Sequence, residues 1–399
     1  MWLRRFAVVV AIVSLAAPDL AGDAIPAFAR RYGVSCQLCH NPFPTLTPFG
    51  ASFAANGFRF ASGEAPRDTV ATGDPLLTLP ARLPLAMRLD AYVRGFSNGR
   101  VATEFESPWT LKLLSGGTLS RGLSYYIYFL LAERGDVAGI EDAFVYANDI
   151  FGAPVDIAVG QFQVSDPLFK RELRLEADDY VVYRTRVGLQ PADLTYERGV
   201  LVATDAAGFT LTAELVNGNG IGPAGADRHY DDGVAKNVLL HATRDVAPGF
   251  RLGALGYWGR QHGNAGTVFD ELNTLWMAGG DATINVGPVE LNAQYIHRED
   301  DRPTFTPGEP TVRTDGGFVE MIIRPGGSRW YGIALYNRVQ ADQPLLDFGL
   351  GGPANVDRYE SVSGGLGWLW RRNVRVFGEV TWDVERDDGV VTLGLVTGF

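Results

Sequence analysis

Five consecutive residues, Cys36, Gln37, Leu38, Cys39 and His40, contain the only two cysteines of this 399-residue chain. Their C-x-x-C-H spacing is the pattern at which a c-type haem is attached, through two thioether bonds and a histidine on the iron. A redox-active C-x-x-C expects a βαβ context, which the flanking prolines do not supply. A zinc site needs about four ligands, and no second cysteine pair or nearby histidine cluster exists. The pattern therefore predicts one covalent haem c on Cys36 and Cys39, with His40 as an axial ligand.

The first residues have the form of a secretory signal peptide. Arg4 and Arg5 precede an apolar run from Phe6 to Ala17, and small residues follow around Ala21. A run of about a dozen residues is too short to span a bilayer. We therefore predict a leader over residues 1–22, with an uncleaved anchor as the alternative. Export agrees with the haem, because haem c is assembled outside the inner membrane.

Charge and hydropathy limit the possible partners and membrane elements. The formal net charge of −11 argues against nucleic acid as a partner. Hydrophobic residues make up 46% of the chain, but no later stretch approaches the ~20 apolar residues of a transmembrane helix. Any membrane domain must therefore be a β-barrel.

Alternation with a period of two recurs from about residue 84 to the C-terminus. Val376, Val380 and Trp382 share one face of a segment whose other face carries Arg375 and Glu379. A soluble β-sandwich alternates in the same way. Connection lengths distinguish a soluble sandwich from an outer-membrane barrel. Here short links alternate with long ones such as Val164 to Glu197, as in outer-membrane barrels. We predict an all-β fold, an antiparallel transmembrane barrel of about 16 strands.

Aromatic residues support the barrel interpretation. The chain ends on Phe399, which resembles the terminal aromatic of barrels delivered to the outer membrane. Further aromatics near strand ends suit the interfacial girdles of such barrels. They are Tyr257, Trp258, Trp276, Trp330, Tyr331, Trp368 and Trp370.

The N-terminal part resembles the outer-membrane porins fused to a monohaem cytochrome segment, of which the ferrous-iron-oxidising cytochrome-porins are the best-known members. The resemblance lies in Ile25 to Arg30, the haem motif, Phe43 to Gly50, Phe53 and Asn56 to Phe58. It covers under a tenth of the chain. Residues 159–169 are more weakly similar to phosphate-selective porins. The family implies a haem-bearing barrel that transfers electrons from extracellular Fe(II) to a periplasmic c-type cytochrome, as ferrous-iron:cytochrome oxidoreductases do.

The predicted domains follow from these patterns. A small helical haem segment over residues 23–64 precedes a linker over residues 65–83 and the barrel over residues 84–399. The haem segment is too small for a cytochrome core of its own, so we expect haem and barrel to complete it, with the segment as a plug of the lumen. Phe28, Phe49 and Phe53 are expected to pack on the haem. Phe49 and Phe53 share a helix face if Pro48 opens a short helix.

The distal haem ligand is less constrained, because the haem segment contains neither methionine nor a second histidine. Met87 is the nearest methionine in sequence, although its parity with Leu85 and Leu89 points it outward. Met277 and His241 are the alternatives, each on the polar face of a predicted strand.

Three functions are compatible with these features. The first is electron transfer through one haem from an extracellular donor, with Fe(II) as the expected donor, to a periplasmic carrier. The second is a diffusion porin for anions or small solutes with the haem segment as a structural plug or redox gate. The third, a peroxidase-type enzyme, lacks a histidine beside the motif as general acid or base. Acids of the predicted outer loops would concentrate Fe(II); they are Asp178, Asp179, Asp231, Asp232, Glu299, Asp300 and Asp301.

Overall fold

The computed structural model describes residues 27–40, 46–60, 69–77, 79–81, 83–97, 103–168, 172–225, 227–231, 233, 235–263 and 267–399. The predicted leader lies outside these residues. Within them, no helix has the length and apolar character needed to cross a membrane.

Sixteen antiparallel strands form one closed barrel, in which each strand pairs with its neighbours in sequence and the last pairs with the first. The predicted all-β antiparallel barrel of about 16 strands is confirmed. The strands are β1 (Leu85–Phe96), β2 (Thr103–Ser120), β3 (Leu123–Glu133), β4 (Gly139–Ala147), β5 (Val155–Gln163), β6 (Tyr196–Ala206), β7 (Phe209–Val216), β8 (Asn237–Ala247), β9 (Phe250–His262), β10 (Leu272–Val286), β11 (Val289–Asp300), β12 (Val312–Ile323), β13 (Trp330–Ala341), β14 (Arg358–Arg371), β15 (Val374–Asp383) and β16 (Asp388–Gly398).

Shorter elements lie outside the barrel wall. Three helices precede it: α1 (Ala27–Tyr32), α2 (Cys36–Cys39) and α3 (Pro48–Ala55). A 3₁₀ turn (Ile150–Gly152) and helices α4 (Ser165–Leu168) and α5 (Val181–Arg184) lie in connections between strands. Thr69–Val70 pairs with Leu79–Pro80, and Leu346–Asp347 pairs with both Arg186–Val187 and Ala354–Val356.

Alternation along each strand gives the barrel an inner and an outer face. In β15, Arg375 and Glu379 point into the lumen and are buried, whereas Val380 and Trp382 point outward and are exposed. β7 repeats the pattern, with Glu214 inside and Leu215 outside. Because a closed barrel satisfies its backbone hydrogen bonds within the wall, its apolar outer face can lie in lipid.

The connections differ in length between the two ends of the barrel. The turns at one end, the short-turn end, are residues 121–122, 148–154, 207–208, 248–249, 287–288, 324–329 and 372–373. The connections at the other end, the long-loop end, are residues 97–102, 134–138, 164–195, 217–236, 263–271, 301–311, 342–357 and 384–387. Outer-membrane barrels place short turns in the periplasm and long loops outside, which orients this barrel.

The predicted aromatic girdle is partly wrong. Trp258, Trp276 and Trp330 point outward and are exposed, as an interfacial belt requires. Tyr257 and Tyr331 have the opposite parity, and both are buried in the lumen. Their hydroxyls can hydrogen-bond there, which a lipid-facing position would not offer.

The first and last strands close the barrel at the short-turn end. The Met87 amide donates to the Phe399 carbonyl at 2.7 Å, and the Phe399 amide donates to the Met87 carbonyl at 2.9 Å. In lipid an unpaired backbone group costs several kcal/mol, so this final pair of bonds matters for the closed state.

Deleting Phe399 should lower the temperature at which the barrel unfolds, because it removes the final bonding pair between β16 and β1. The measurement is the shift in gel migration between boiled and unboiled samples along a temperature series. The control is Phe399→Ala, which keeps both backbone bonds and removes only the ring. Equal heat resistance of the deletion and the wild type would contradict a role for this pair in closure.

Candidate functional site

The haem motif forms one helical turn with defined ends. The Ser35 side chain accepts a hydrogen bond from the Gln37 amide at 3.4 Å, and the His40 amide donates to the Cys36 carbonyl at 2.8 Å. This turn is α2. Residues three apart on a helix share one face, so the turn places the two thiols side by side and His40 directly after them.

The following helix, α3, packs against the motif. Pro48 stands at its first position, and the Thr47 hydroxyl accepts from the Gly50 amide at 3.1 Å, as the sequence predicts for a helix that starts at Pro48. The Thr47 amide also donates to the Cys39 carbonyl at 2.8 Å. A Cβ on Gly50 would lie 2.2 Å from the Cys39 carbonyl oxygen, so only glycine allows α3 this close approach.

Aromatic rings form the interior of the haem segment. Phe28 stacks on Phe58 with ring centroids 5.0 Å apart and meets Phe53 edge-on at 5.5 Å. Phe49 stacks on Phe53 at 6.5 Å and remains 39% exposed. The structure thus brings Phe28, Phe49 and Phe53 together beside α2, with Phe53 central and Phe49 at the surface. Tyr32 completes the cluster, because its hydroxyl donates to the Phe58 carbonyl at 2.8 Å.

The haem segment packs against the barrel at the short-turn end. The Phe58 ring stacks on Tyr126 of β3 at 5.3 Å, and the Asn148 side chain, in the turn after β4, donates to the Ala55 carbonyl at 3.0 Å. Arg30 donates to the carbonyl of Leu85, the first residue of β1. These contacts attach the described residues of the segment to the periplasmic rim near β1 to β4.

The residues of the motif fit a covalently attached haem. Cys36 and Cys39 lie on one turn without a disulfide between them, each half-buried. Burial raises the pKa of both thiols, and at Cys36 the positive charge of Arg372 partly opposes this. Two thiols, an imidazole and adjoining rings within one short segment are the donor set that a c-type haem requires.

The structure brings none of the three predicted distal ligands to the motif. Met87 has the opposite parity from the buried, lumen-facing Arg88, so it points outward as its sequence parity suggested. Met277 lies on β10, eight strands from β2 and thus across the 16-stranded barrel. His241 on β8 is bound through Nε2 to the Asp281 carboxylate at 2.8 Å. The sequence could not decide this, because strand parity does not say which strands adjoin the haem segment.

A connection predicted to be an outer loop crosses the lumen instead. Residues 164–195, here called the inward segment, begin and end together, since the Val164 amide donates to the Thr195 carbonyl at 2.7 Å. Between these ends the described residues bond to the inner face of strands around the barrel. Asp178 and Asp179, predicted as exposed loop acids, are among these bonded residues. The described residues that cross the lumen belong to the inward segment, whereas the haem segment contacts Tyr126, which has the lumen-facing parity of Ser124, at the short-turn end. That the haem segment also plugs the lumen stays a prediction.

Ion pairs join the inward segment to the wall formed by β1, β2 and β3. Glu172 accepts from Arg88 at 2.9 Å and from Lys112 at 3.2 Å. Arg174 donates to Glu133 at 3.3 Å. Arg88, Lys112 and Arg174 are buried, so each depends on its carboxylate partner.

A second group of contacts reaches the wall formed by β13, β14 and β15. Glu176 accepts from Arg375 and, at 2.6 Å, from the Tyr331 hydroxyl. The Ser363 hydroxyl donates to Asp178 at 2.6 Å. The inward segment therefore spans the lumen between two walls that no short-range sequence pattern relates.

A third group fixes the segment to β11 and β12. The Tyr180 hydroxyl donates to Glu320 at 2.6 Å, and the Tyr183 hydroxyl donates to Gln294. Arg298 donates to the Thr185 carbonyl at 3.1 Å. Apolar residues of the segment pack in the same region, where the core contains Val181, Val182, Leu194, Met277, Ile296, Phe318 and Val339.

Two adjacent carboxyls of the inward segment have opposite electrostatic environments. Burial raises the pKa of Asp178 to about 6, and the charge of Asp179 adds to the effect. Burial also opposes ionisation of Asp179, but Arg134 and Arg184 outweigh it and lower its pKa to about 2. The lumen therefore holds two adjacent carboxyls of different acidity. Asp179 is the stronger acid beside its arginines, and Asp178 is the weaker acid.

Of the remaining acids predicted to lie in outer loops, two belong to strand β11, on its two faces, and others lie in loops. Asp300 is buried in the lumen and accepts from Arg298 at 2.7 Å, so it is not a loop acid. Glu299 belongs to the same strand and pairs with Arg313 at 3.0 Å. Asp231 and Asp301 do lie in loops of the long-loop end, and Asp232 lies outside the described residues.

Replacing Arg375 with Ala should destabilise the barrel by about 3–5 kcal/mol, because it leaves the buried Glu176 carboxylate without its guanidinium. Urea unfolding followed by tryptophan fluorescence measures the loss. The matched control is Arg251→Ala, which breaks an exposed pair with Asp245 and should cost at most ~1 kcal/mol. Similar losses in both variants would show that the inward segment does not depend on this pair.

No protein-family model and no curated protein sequence matches this chain. Solved structures do match it. A loop-deletion mutant of OmpT, an outer membrane protein of Vibrio cholerae, is 13% identical, with a TM-score of 0.56 over 80% of this chain and 99% of its own. The outer membrane channel DcaP of Acinetobacter baumannii is 11% identical, with a TM-score of 0.56 over 79% and 97%. OmpF of Salmonella typhi is 13% identical, with a TM-score of 0.55 over 79% and 97%.

At these identities the likeness concerns the fold. Its features are those already described: sixteen antiparallel strands in a closed barrel, with short turns at one end and long loops at the other. An apolar outer face on such a barrel requires a lipid environment. The chain therefore has the porin fold, and it is a β-barrel of the bacterial outer membrane.

Proposed function

We propose that this chain is an outer-membrane channel for small solutes that carries one haem c at its periplasmic mouth. The observation that carries the channel is the inward segment, which narrows a closed and largely polar lumen without being part of the wall. Arg88, Arg375 and Glu379 illustrate the polar wall, since all three point inward from strands that are apolar outside. A polar, narrowed lumen favours small hydrophilic solutes over large or apolar ones.

The haem part of the proposal rests on the motif and its surroundings. Cys36 and Cys39 would each form one thioether bond, and His40 would bind the iron. When bound, the haem supplies a one-electron redox couple. Phe49, exposed beside α2, would cover part of the porphyrin, and Phe53 would hold Phe49 in place.

Electron transfer from extracellular Fe(II) to a periplasmic cytochrome is the second candidate function. It is favoured by acids at the long-loop end, where the described loops, excluding the inward segment, contain twelve acidic and five basic side chains. Such a field attracts cations. The haem segment, however, lies at the opposite end of a barrel whose apolar band is ~25 Å tall. Fe(II) would therefore have to pass the inward segment before it could reach the haem.

The channel part is tested by replacing residues 166–193 with a short Gly/Ser linker, which the neighbouring backbones of Val164 and Thr195 can accommodate. Single-channel conductance in a planar bilayer should rise severalfold, because the linker no longer crosses the lumen. The comparison variant lacks residues 27–60 and should conduct much like the wild type. A large rise in that variant alone would identify the haem segment as the constriction.

The haem part is tested by replacing both Cys36 and Cys39 with Ala. Covalent haem staining and the absorption bands of the reduced protein should be lost, while the heat-dependent gel shift of the barrel should remain. Covalent haem in this variant would refute the assignment.

Stopped-flow mixing of the oxidised wild type with Fe(II) then separates the two functions. Rapid haem reduction, made faster still by the linker variant, would favour electron transfer from outside. A haem that Fe(II) does not reduce in either protein would leave the channel function.

A further inference from the structure

We propose that the basic short-turn end around the haem motif is a docking surface for the acidic face of a soluble periplasmic electron carrier. This inference rests on the proposed haem and names the chemistry of its partner. A haem at the periplasmic mouth can exchange electrons only with a molecule that approaches from that side, so the surface around it determines which molecule that is.

The charge of the haem segment is the first observation. The described residues of this segment, within 27–60, contain Arg30, Arg31 and the buried Arg59 and no acidic residue, in a chain whose net charge is −11. The acids Asp23 and Glu64 lie outside these residues. Arg30 is exposed at the rim where it holds the start of β1. A positive segment in an acidic protein favours the approach of negatively charged partners to the mouth.

The turns of the barrel extend this positive surface. Arg121, Arg329 and Arg372 are exposed in the turns after β2, β12 and β14. The turn after β14 lies beside the start of β1, because the Asn373 side chain donates to the Gly398 carbonyl at 2.8 Å and the next residue, Phe399, pairs with Met87. Among the described turn residues at this end, the acidic one is Asp149.

The turns at one end of the barrel and the loops at the other therefore differ in the sign of their charge. Residues 27–60 and the described turns contain seven basic side chains and one acidic side chain, whereas the described long loops have an excess of acids. The basic side chains are Arg30, Arg31, Arg59, Arg121, Arg324, Arg329 and Arg372. Arg59 is buried and Arg324 pairs with Glu290, so the exposed positive charge comes mainly from Arg30, Arg121, Arg329 and Arg372. A separation of charge along the barrel axis steers an acidic protein to the haem mouth and away from the outer end.

The arginines favour a protein partner over lipid because of where they lie. Arg329 and Arg372 are in turns at the mouth, and the turn with Arg372 lies beside the start of β1, where Arg30 of the haem segment bonds to Leu85. Anionic lipid headgroups share the chemistry of an acidic protein, so the experiment includes them as an outcome.

The test uses the purified full-length haem protein, reduced and then mixed with one of two oxidants that each accept one electron from the haem iron. Ferricyanide is a trianion, and tris(phenanthroline)cobalt(III) is a trication. The variant is Arg329→Glu with Arg372→Glu. The matched control is Arg228→Glu with Arg386→Glu, which makes the same charge change at exposed positions of the long-loop end.

At 0.01 M ionic strength, where the Debye length is about 30 Å, the Arg329/Arg372 variant should react roughly 10-fold more slowly with ferricyanide and faster with the cobalt complex. The control should match the wild type, and the differences should vanish at 1 M salt, where the Debye length is about 3 Å. Equal rates in variant and wild type with both oxidants would overturn the proposal.

Docking itself is measured with reduced flavodoxin, an acidic one-electron donor, as the probe. The rate of haem reduction should saturate with flavodoxin concentration in the wild type and stay linear in the Arg329/Arg372 variant. Linear rates in both proteins would refute a docking surface. If saturation occurs in phosphatidylcholine vesicles but is lost in phosphatidylglycerol vesicles, the arginines bind lipid headgroups and the proposal is wrong. Absence of haem bands would remove the haem assignment itself, whereas haem without charge dependence would remove only the docking surface.

Discussion

Backbone hydrogen bonding inside a lipid bilayer is the constraint on which the rest of this structure depends. An open sheet would leave one edge unpaired in lipid, so sixteen strands must close, and β16 meets β1 through Met87 and Phe399. Closure turns the period-two alternation of each strand into an inside and an outside. The outside can be apolar where it faces lipid, as Val380 and Leu215 are. The inside then encloses polar side chains that need partners.

The inward segment supplies many of those partners. Arg88, Lys112 and Arg375 point inward and are buried, and each pairs with a carboxylate of the segment. Such buried pairs add little stability compared with apolar packing, but losing one partner is costly because a charge remains without a counterion. The segment is therefore held in one position by buried charged wall residues, because its carboxylates are their counterions. The lumen is narrowed by this arrangement and by side chains of the segment, such as Tyr183, that pack against the apolar residues of the wall.

The charge distribution connects the wall to the proposed chemistry. Acids predominate in the described loops outside, and arginines predominate at the periplasmic rim beside the haem motif. The two ends thereby favour different binding partners: cations at the long-loop end and anionic surfaces at the short-turn end. A haem in the segment that contacts Tyr126 would lie within reach of periplasmic partners, with the narrowed lumen between it and the outside.

The sequence by itself determined the barrel. The alternation of residues such as Arg375 and Val376 is a local property of each strand, and the unequal connection lengths are visible in the sequence. It also determined the haem motif, since Cys36, Cys39 and His40 are contiguous, and the Pro48 helix, whose start is encoded locally. Only the tertiary structure decided that residues 164–195 turn inward. That outcome depends on Glu172 and Glu176 meeting arginines from strands far apart in sequence, and composition alone makes the same segment look like a polar outer loop. Position around the barrel likewise decided that Met277 and His241 lie far from the haem motif. Strand parity says which face a residue occupies, but not which strands lie near the haem segment.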